Sequence, residues 1–157
     1  MSRFAGVEPV SALSPDLLER LRSRLASSPA LHWLEPTLEE LELDYCVLGL
    51  RYRPELTTGS ATIHGGVLAT LADTAVAFAL STNFDGKMGF ATADMTIHFL
   101  RRAKSDVRAR ARIVKKGRRI NVGEVDVVDV EDLSVARVLA SFLLTTSSFD
   151  YLPVSAR

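Results

Sequence analysis

A single cysteine, a single tryptophan and no surplus of charge of either sign set the first limits on this 157-residue chain. One thiol, Cys46, cannot close an intramolecular disulfide, and no grouping of Cys and His has zinc-ligand spacing, so no metal is expected. Lys plus Arg and Asp plus Glu each total 19, which leaves no overall field to draw the chain to nucleic acid. No apolar run is long enough to span a membrane. The opening residues, MSRFAGVEPVSALSPDLLERLRSRL, lack the apolar core of a signal peptide. Repeats, heptads and low-complexity linkers are missing as well. What is left is 47% hydrophobic and 24% charged, the composition of an ordinary folded protein. A chain of this length builds one core rather than two. The expectation is a cytoplasmic protein forming a single domain over 1–157, with residues 1–35 as an N-terminal helical extension.

Residues 14–25 open that extension with a helix-start signature, Ser14 as N-cap, Pro15 in the first turn and Asp16 at the positive end of the dipole. Leu17, Leu18, Leu21 and Leu25 then recur at helical spacing. His32 and Trp33 follow, read as a core anchor. Residues 41–53 alternate roughly and read as one strand, after a turn at Glu35 and Pro36. Residues 54–62 are polar and read as a loop. Residues 63–80 begin with a glycine pair and continue as an Ala/Leu-rich helix. Four strands complete the chain, over 90–100, 107–115, 120–130 and 134–146. In the second of them Val107, Ala109, Ala111 and Ile113 share one face, and Arg108, Arg110 and Arg112 the other. This order fits an α+β fold in which a curved antiparallel sheet wraps one long, buried helix.

At 100° per residue, Leu68, Leu71, Ala72, Ala75 and Ala79 form the broad apolar face of that helix, while Thr70, Asp73, Thr74 and Ala77 lie opposite. A carboxylate inside so apolar a helix is costly unless something compensates. Either this narrow polar side meets solvent or caps a neighbouring loop, or Asp73 is a candidate catalytic group with Thr70, Thr74 and Ala77 beside it as candidate substrate contacts. His64, Gly65 and Gly66 stand where the loop enters the helix. Amides at a helix N-terminus point outward and favour negative charge, so they suit the oxyanion of an attacked carbonyl. Asp73 lies two turns on, about 10 Å at 1.5 Å per residue, too far to serve the same carbonyl within one chain. A two-fold dimer would bring one subunit's amide to the other's carboxylate.

HGGVLATLADTAVAFAL, residues 64–80, resembles the HGG-x-x-x-x-L-A-D-x-A signature of the hotdog-fold thioesterases related to the phenylacetate-pathway enzyme and 4-hydroxybenzoyl-CoA thioesterase. ATADMTIHFLRRA (91–103) is similar to that family's strand leading into F-x-R-P, and VKKGRRINVGEVDVVD (114–129) to its strand pair around G-R. The resemblance spans residues 43–144 and implies a hotdog fold with acyl-CoA thioester hydrolysis. It implies Asp73 as nucleophile or general base, Gly65 N–H polarising the thioester carbonyl, His64 shaping the loop, and a homodimer or homotetramer with sites at the dimer interface. No cofactor is implied beyond the CoA of the substrate. Two departures are visible. Thr58 and Ala61 stand where the family carries Asn or Gln and Gly, so either Thr58 or Ser60 takes over the amide's place or activity is reduced. Arg102 replaces a proline.

Ten of the 19 basic residues lie between Arg101 and Arg119 with Asp106 as their only acid. Arg101, Arg102, Arg118 and Arg119, at strand ends and turns, are candidates for the phosphates of CoA, whereas Arg108, Arg110 and Arg112 read as a solvated sheet face. No aromatic interleaves with these cations, which argues against nucleic acid. Two other readings keep the fold. One is an acyl-thioester hydratase or dehydratase, and the other a non-catalytic acyl-CoA binding protein. His98 reads as a paired sheet residue and Cys46 as buried and inert.

Overall fold

In the computed structural model, which describes residues 13–84 and 89–145, two short helices precede the sheet. Helix α1 (Pro15–Ser27) starts where expected, with Ser14 Oγ accepting the Leu17 N–H at 3.1 Å. Helix α2 (Pro29–His32) follows after a single residue. Leu17, Leu21, Leu31 and Leu34 carry this extension into the common core.

Six strands form one antiparallel sheet in the order β1-β2-β4-β5-β6-β3: β1 Thr37–Glu42, β2 Tyr45–Leu50, β3 Gly89–Phe99, β4 Val107–Lys115, β5 Ile120–Asp129 and β6 Ser134–Thr145. Helix α3 (Gly65–Ser81) lies across its concave face, packed most closely on β2, β4 and β5. Ten of its residues are buried, Leu71, Ala72, Ala75, Val76 and Ala79 completely so. Each buried side chain of this size contributes about 1.5–3 kcal/mol, or less for Ala, relative to exposure. In β4 the alternation holds throughout, with Val107, Ala109, Ala111 and Ile113 under the helix.

One expected strand is in fact a hairpin. Residues 37–42 form β1, and the chain turns at Leu43 and Asp44 before β2, with Asp44 held at φ 63°. The sequence TLEELE hides this strand for two reasons. Glutamate has low strand propensity, and a bulge between Leu38 and Glu40 replaces the two-residue period with burial at every third position. The Asp44 turn is clamped from outside the hairpin. Its carboxylate receives Asn83 Nδ2 and Lys116 Nζ, both at 2.6 Å, and its N–H donates to Thr82 Oγ1. The C-terminal end of α3, the β1–β2 turn and the β4–β5 turn are thus tied at one point.

The core-anchor reading of His32 and Trp33 is also corrected. Both are exposed, Trp33 by 51%. Leu31 and Leu34, on either side, are the anchors instead, because the short helix turns them inward. Cys46 is buried, and burial pushes its thiol pKa up, so it is an unreactive core residue.

Two features leave one flank unfinished. Strand β3 pairs only with β6, so its outer edge has no strand partner among the described residues. Most of β3 is exposed, and the strip of α3 that its own sheet does not cover is half-buried. A long bare edge of this kind is a template for pairing with another chain.

Close packing of helix on sheet is sharpest at Gly123, where a Cβ would come 2.5 Å from Val76 Cγ1. Gly123→Ala is expected to destabilise the fold by about 1–3 kcal/mol, as overpacked cores are, read as a lower urea midpoint. An unchanged midpoint would mean that α3 does not sit rigidly on β5.

Candidate active site

The loop into α3 is built almost entirely of satisfied backbone. Thr58 N–H donates to Thr62 O, Ala61 N–H to Thr58 O, His64 N–H to Leu56 O, and Ile63 N–H to Ala103 O, all within 3.0 Å. Ala61 sits at φ 53°, the left-handed region where a Cβ is strained, and Tyr52 Oη donates to its carbonyl at 3.0 Å. His64 is the N-cap of α3. Its Nδ1 accepts the Gly66 N–H at 2.9 Å, which commits one ring nitrogen to holding the turn.

That cap divides the two glycine amides. Gly66 N–H is taken by His64, whereas Gly65 N–H has no hydrogen-bond acceptor among the described residues. Gly65 is glycine for a local reason. A Cβ there would lie 2.8 Å from the Phe99 ring, so the missing side chain lets Phe99 close on the loop and leaves the amide open. An open N–H at a helix N-terminus is the element needed to hold a negative oxygen.

Asp73 stands half-buried on the uncovered strip of α3 with Thr70, Thr74 and Ala77. The two threonines spend their protons on the helix itself, Thr70 Oγ1 donating to Gly66 O and Thr74 Oγ1 to Thr70 O. They keep lone pairs, but not protons, for anything bound beside them. Asp73 has a partner from another element. Thr92 Oγ1 donates to Asp73 Oδ1 at 2.8 Å. Burial raises the Asp73 pKa above the usual 3.8, and the Thr92 hydrogen bond opposes part of that rise by favouring the ionised form.

Thr92 was not among the expected site residues. The strand period alone does not assign it a face, because β3 is bulged between Thr92 and Asp94. Its pairing opposite the buried Phe142 puts it on the helix-facing side of the sheet, where it stays exposed.

A groove of about 500 Å³ runs away from Gly65, lined by Thr58, Ser60, Thr62, Leu68, Phe99 and the segment 100–103. It brings Thr58, Ser60, Gly65, Arg101 and Arg102 together. Arg101 donates to Ser134 O at 2.8 Å, and Arg102 is exposed at the rim. Arg118 and Arg119 lie elsewhere, in the β4–β5 turn, beside the Phe90 end of β3, since Leu144 pairs with Phe90 and donates to Arg119 O. The Phe90 and Phe99 ends of that strand are about 30 Å apart at 3.3 Å per residue, so the four arginines form two separate pairs. Arg108 and Arg110 are held in ion pairs on the convex face, with Glu39 and Asp132. His98 pairs with Arg137 across β3 and β6, on the exposed side.

A sheet curled over one long helix that enters through His-Gly-Gly is the hotdog architecture, and comparison with known proteins agrees. Residues 61–136 match the model of the thioesterase superfamily. A candidate esterase of Halobacterium salinarum is 29% identical over 126 residues, 77% of this chain and 83% of that protein. A solved structure from the thioesterase superfamily is 30% identical with a TM-score of 0.75, covering 82% of this chain and 98% of the other. The E. coli PaaI protein, from a phenylacetic acid degradation operon, shares the fold at a TM-score of 0.78 and 20% identity, over 87% and 99% of the two chains. The chain belongs to the thioesterase superfamily, and its enzyme class is thioester hydrolase.

The role of His64 as a cap is testable by stability alone. His64→Ala should cost about 1 kcal/mol, the usual value of an N-cap, whereas His64→Asn keeps an acceptor and should stay near wild type. Equal losses in urea unfolding would show that the ring, not its acceptor, holds the turn.

Proposed function

We propose that the protein hydrolyses acyl-CoA thioesters at sites shared between two copies, with Asp73 as the base or nucleophile and Gly65 N–H polarising the thioester carbonyl. The observation that carries this reading is the position of Asp73: half-buried, raised in pKa, and aligned by Thr92 on the one strip of α3 that its own sheet leaves open. A carboxylate of raised pKa is a better proton acceptor than an exposed one.

The order of contacts along β3 supports the two-copy arrangement. Thr92, near its start, holds Asp73, and Phe99, at its end, packs on Gly65. Antiparallel pairing of two bare β3 edges about a two-fold axis inverts that order. Asp73 of one copy then lies toward the partner's Gly65, which removes the separation of about 10 Å along a single helix. The same inversion carries Arg118 and Arg119 toward the partner's Arg101 and Arg102. Each groove mouth would then have cations from both chains for the phosphates of CoA. Water enters at the thioester carbon with its proton passing to Asp73, or Asp73 attacks first and water releases the acyl group. Both routes expel the CoA thiolate and need the same carboxylate.

Thiol release from aliphatic and aromatic acyl-CoAs should be detectable in wild type and fall at least about 100-fold in Asp73→Asn, the scale of a lost general base. Undiminished turnover in the folded mutant would overturn the mechanism. CoA-ester binding without Asp73-dependent release would favour a binding protein. The same mutant should be more stable at neutral pH. A carboxyl whose pKa is raised by folding favours the native state below the unfolded value, and that contribution is lost as pH rises through the folded value. Asn removes the loss.

Activity should decline on the acid side as Asp73 takes up its proton. Thr92→Val removes the bond that favours the ionised form, so the acid limb of kcat/KM should move to higher pH. A limb that stays in place would mean that another group controls it. For the phosphate contacts, Arg102→Ala and Arg118→Ala should each raise KM for an acyl-CoA several-fold and leave KM for the acyl-pantetheine thioester unchanged. A parallel rise with both substrates would place these arginines away from the nucleotide.

A further inference from the structure

The turn between β4 and β5 is held more firmly than an exposed connection requires. Lys116 Nζ donates to Asp44 Oδ2 at 2.6 Å and to Asn83 Oδ1 at 3.0 Å. Gly117 N–H donates to Asn121 Oδ1 at 3.2 Å, and Leu144 N–H to Arg119 O at 3.0 Å. The β1–β2 turn, the end of α3, β5 and β6 therefore all hold it. A Cβ on Gly117 would lie 2.5 Å from Ile120 O, so the turn also folds tightly onto its own exit. Arg118 and Arg119 ride on this frame with exposed guanidinium groups that have no acceptor among the described residues. The arginines of the convex face differ, since Arg108, Arg110 and Arg137 are each committed to a carboxylate.

Asn121 is the part of the frame that stability alone does not account for. It is 2% exposed, and its Nδ2 is buried with no hydrogen-bond partner among the described residues. A backbone N–H can only donate, so the bond from Gly117 fixes which end of the carboxamide is the oxygen and turns Nδ2 away from the turn. A buried donor without an acceptor destabilises by more than one neutral hydrogen bond stabilises, and an apolar side chain of similar size would avoid that cost. What the carboxamide contributes is the placement of Gly117. We infer that Asn121 is a positioning residue for CoA recognition: through Gly117 it fixes the β4–β5 turn so that Arg118 and Arg119 present their guanidinium groups to the phosphates of an acyl-CoA. With the turn fixed, the two cations meet a phosphate already in place; without Asn121 the turn must be ordered on binding, and affinity falls.

This inference rests on the phosphate contacts assigned to these arginines under the proposed function, and binding separates it from the hydrolytic reading. CoA binding would be measured by calorimetry for wild type, Asn121→Leu, the paired Arg118→Ala and Arg119→Ala substitutions, and all three together. Asn121→Leu is expected to weaken CoA about 3- to 10-fold, the effect of leaving one or two side chains to be ordered on binding, with a melting transition no lower than that of wild type. In turnover, KM for an acyl-CoA should rise by the same factor at unchanged kcat, while KM for the acyl-pantetheine thioester stays put. Where both arginines are already alanine, Asn121→Leu should weaken CoA no further, because it acts only through them. Unchanged CoA affinity in folded Asn121→Leu, an equal loss with the pantetheine substrate, or an undiminished further loss in the arginine-free background would overturn the inference. If Asn121→Leu does not fold, Asp44→Asn takes its place, since asparagine tolerates the φ of 63° at that turn and weakens the Lys116 tie. Weaker CoA binding, although a negative charge has been removed, supports a positioned turn, and equal or tighter binding overturns it. CoA affinity that follows Asn121 in a protein without Asp73-dependent thiol release would refute the hydrolytic reading and leave this one standing. Loss of both arginines without effect on CoA, beside intact Asp73-dependent release, would do the reverse.

Discussion

Everything distinctive about this molecule follows from the need to bury one helix that its own sheet can only half cover. Helix α3 is apolar around most of its circumference, and β2, β4 and β5 accept the Leu71, Ala72, Ala75, Val76 and Ala79 side of it. Gly123 brings the helix down onto the backbone of β5. The opposite strip remains at the flank where β3 has no strand beyond it among the described residues. Asp73 occupies that strip, and its raised pKa has the same origin as the helix's packing, since both come from the exclusion of water by apolar neighbours.

The threonine on β3 keeps this arrangement from being merely a buried charge. Without Thr92 the Asp73 carboxylate would meet desolvation and little else. With it, one oxygen is fixed in direction and the ionised form is partly recovered. The other oxygen has no hydrogen-bond donor among the described residues. Under the proposed two-fold pairing, a strand that supplies this hydroxyl and also carries the paired edge would couple the alignment of the carboxylate to the meeting of subunits. The distribution of arginines fits that coupling. The two at each end of β3 are about 30 Å apart within one chain and would converge if the strand order were inverted by the proposed two-fold axis.

Much of this was legible in the residues. The Ala/Leu run after His-Gly-Gly marks α3 and places Asp73 on its narrow side, because periodicity reports faithfully on a helix surrounded by apolar neighbours. The alternation of β4 is equally plain. The hairpin at Asp44 was not legible, because a bulge and three glutamates erase the period of β1 and the turn depends on Asn83, Thr82 and Lys116 from distant elements. Thr92 was missed for a related reason. Its face is set by a bulge, and its value lies in a contact nineteen residues away in sequence, of which one strand's pattern carries no trace. His32 and Trp33 look like anchors by residue type, yet the helix-to-strand turn exposes them and buries the leucines beside them.

The loop at 57–63 shows how a departure from a family pattern is absorbed. An alanine at φ 53° and a hydrogen-bonded pair of hydroxyls stand where the resemblance leads one to expect glycine and a carboxamide. The strain at Ala61, of order 1 kcal/mol, is opposed by a hydrogen bond to its carbonyl from Tyr52 and by the short Thr57–Ile63 bridge that closes the loop. Two small side chains cost less rotamer entropy to fix than a long amide does, but they need a rigid backbone to hold their spacing. The strained, closed turn supplies that backbone. The same closure keeps Gly65 against Phe99 and its amide open, so the positions of the Gly65 N–H and the Thr58 hydroxyl both depend on the geometry of one seven-residue loop.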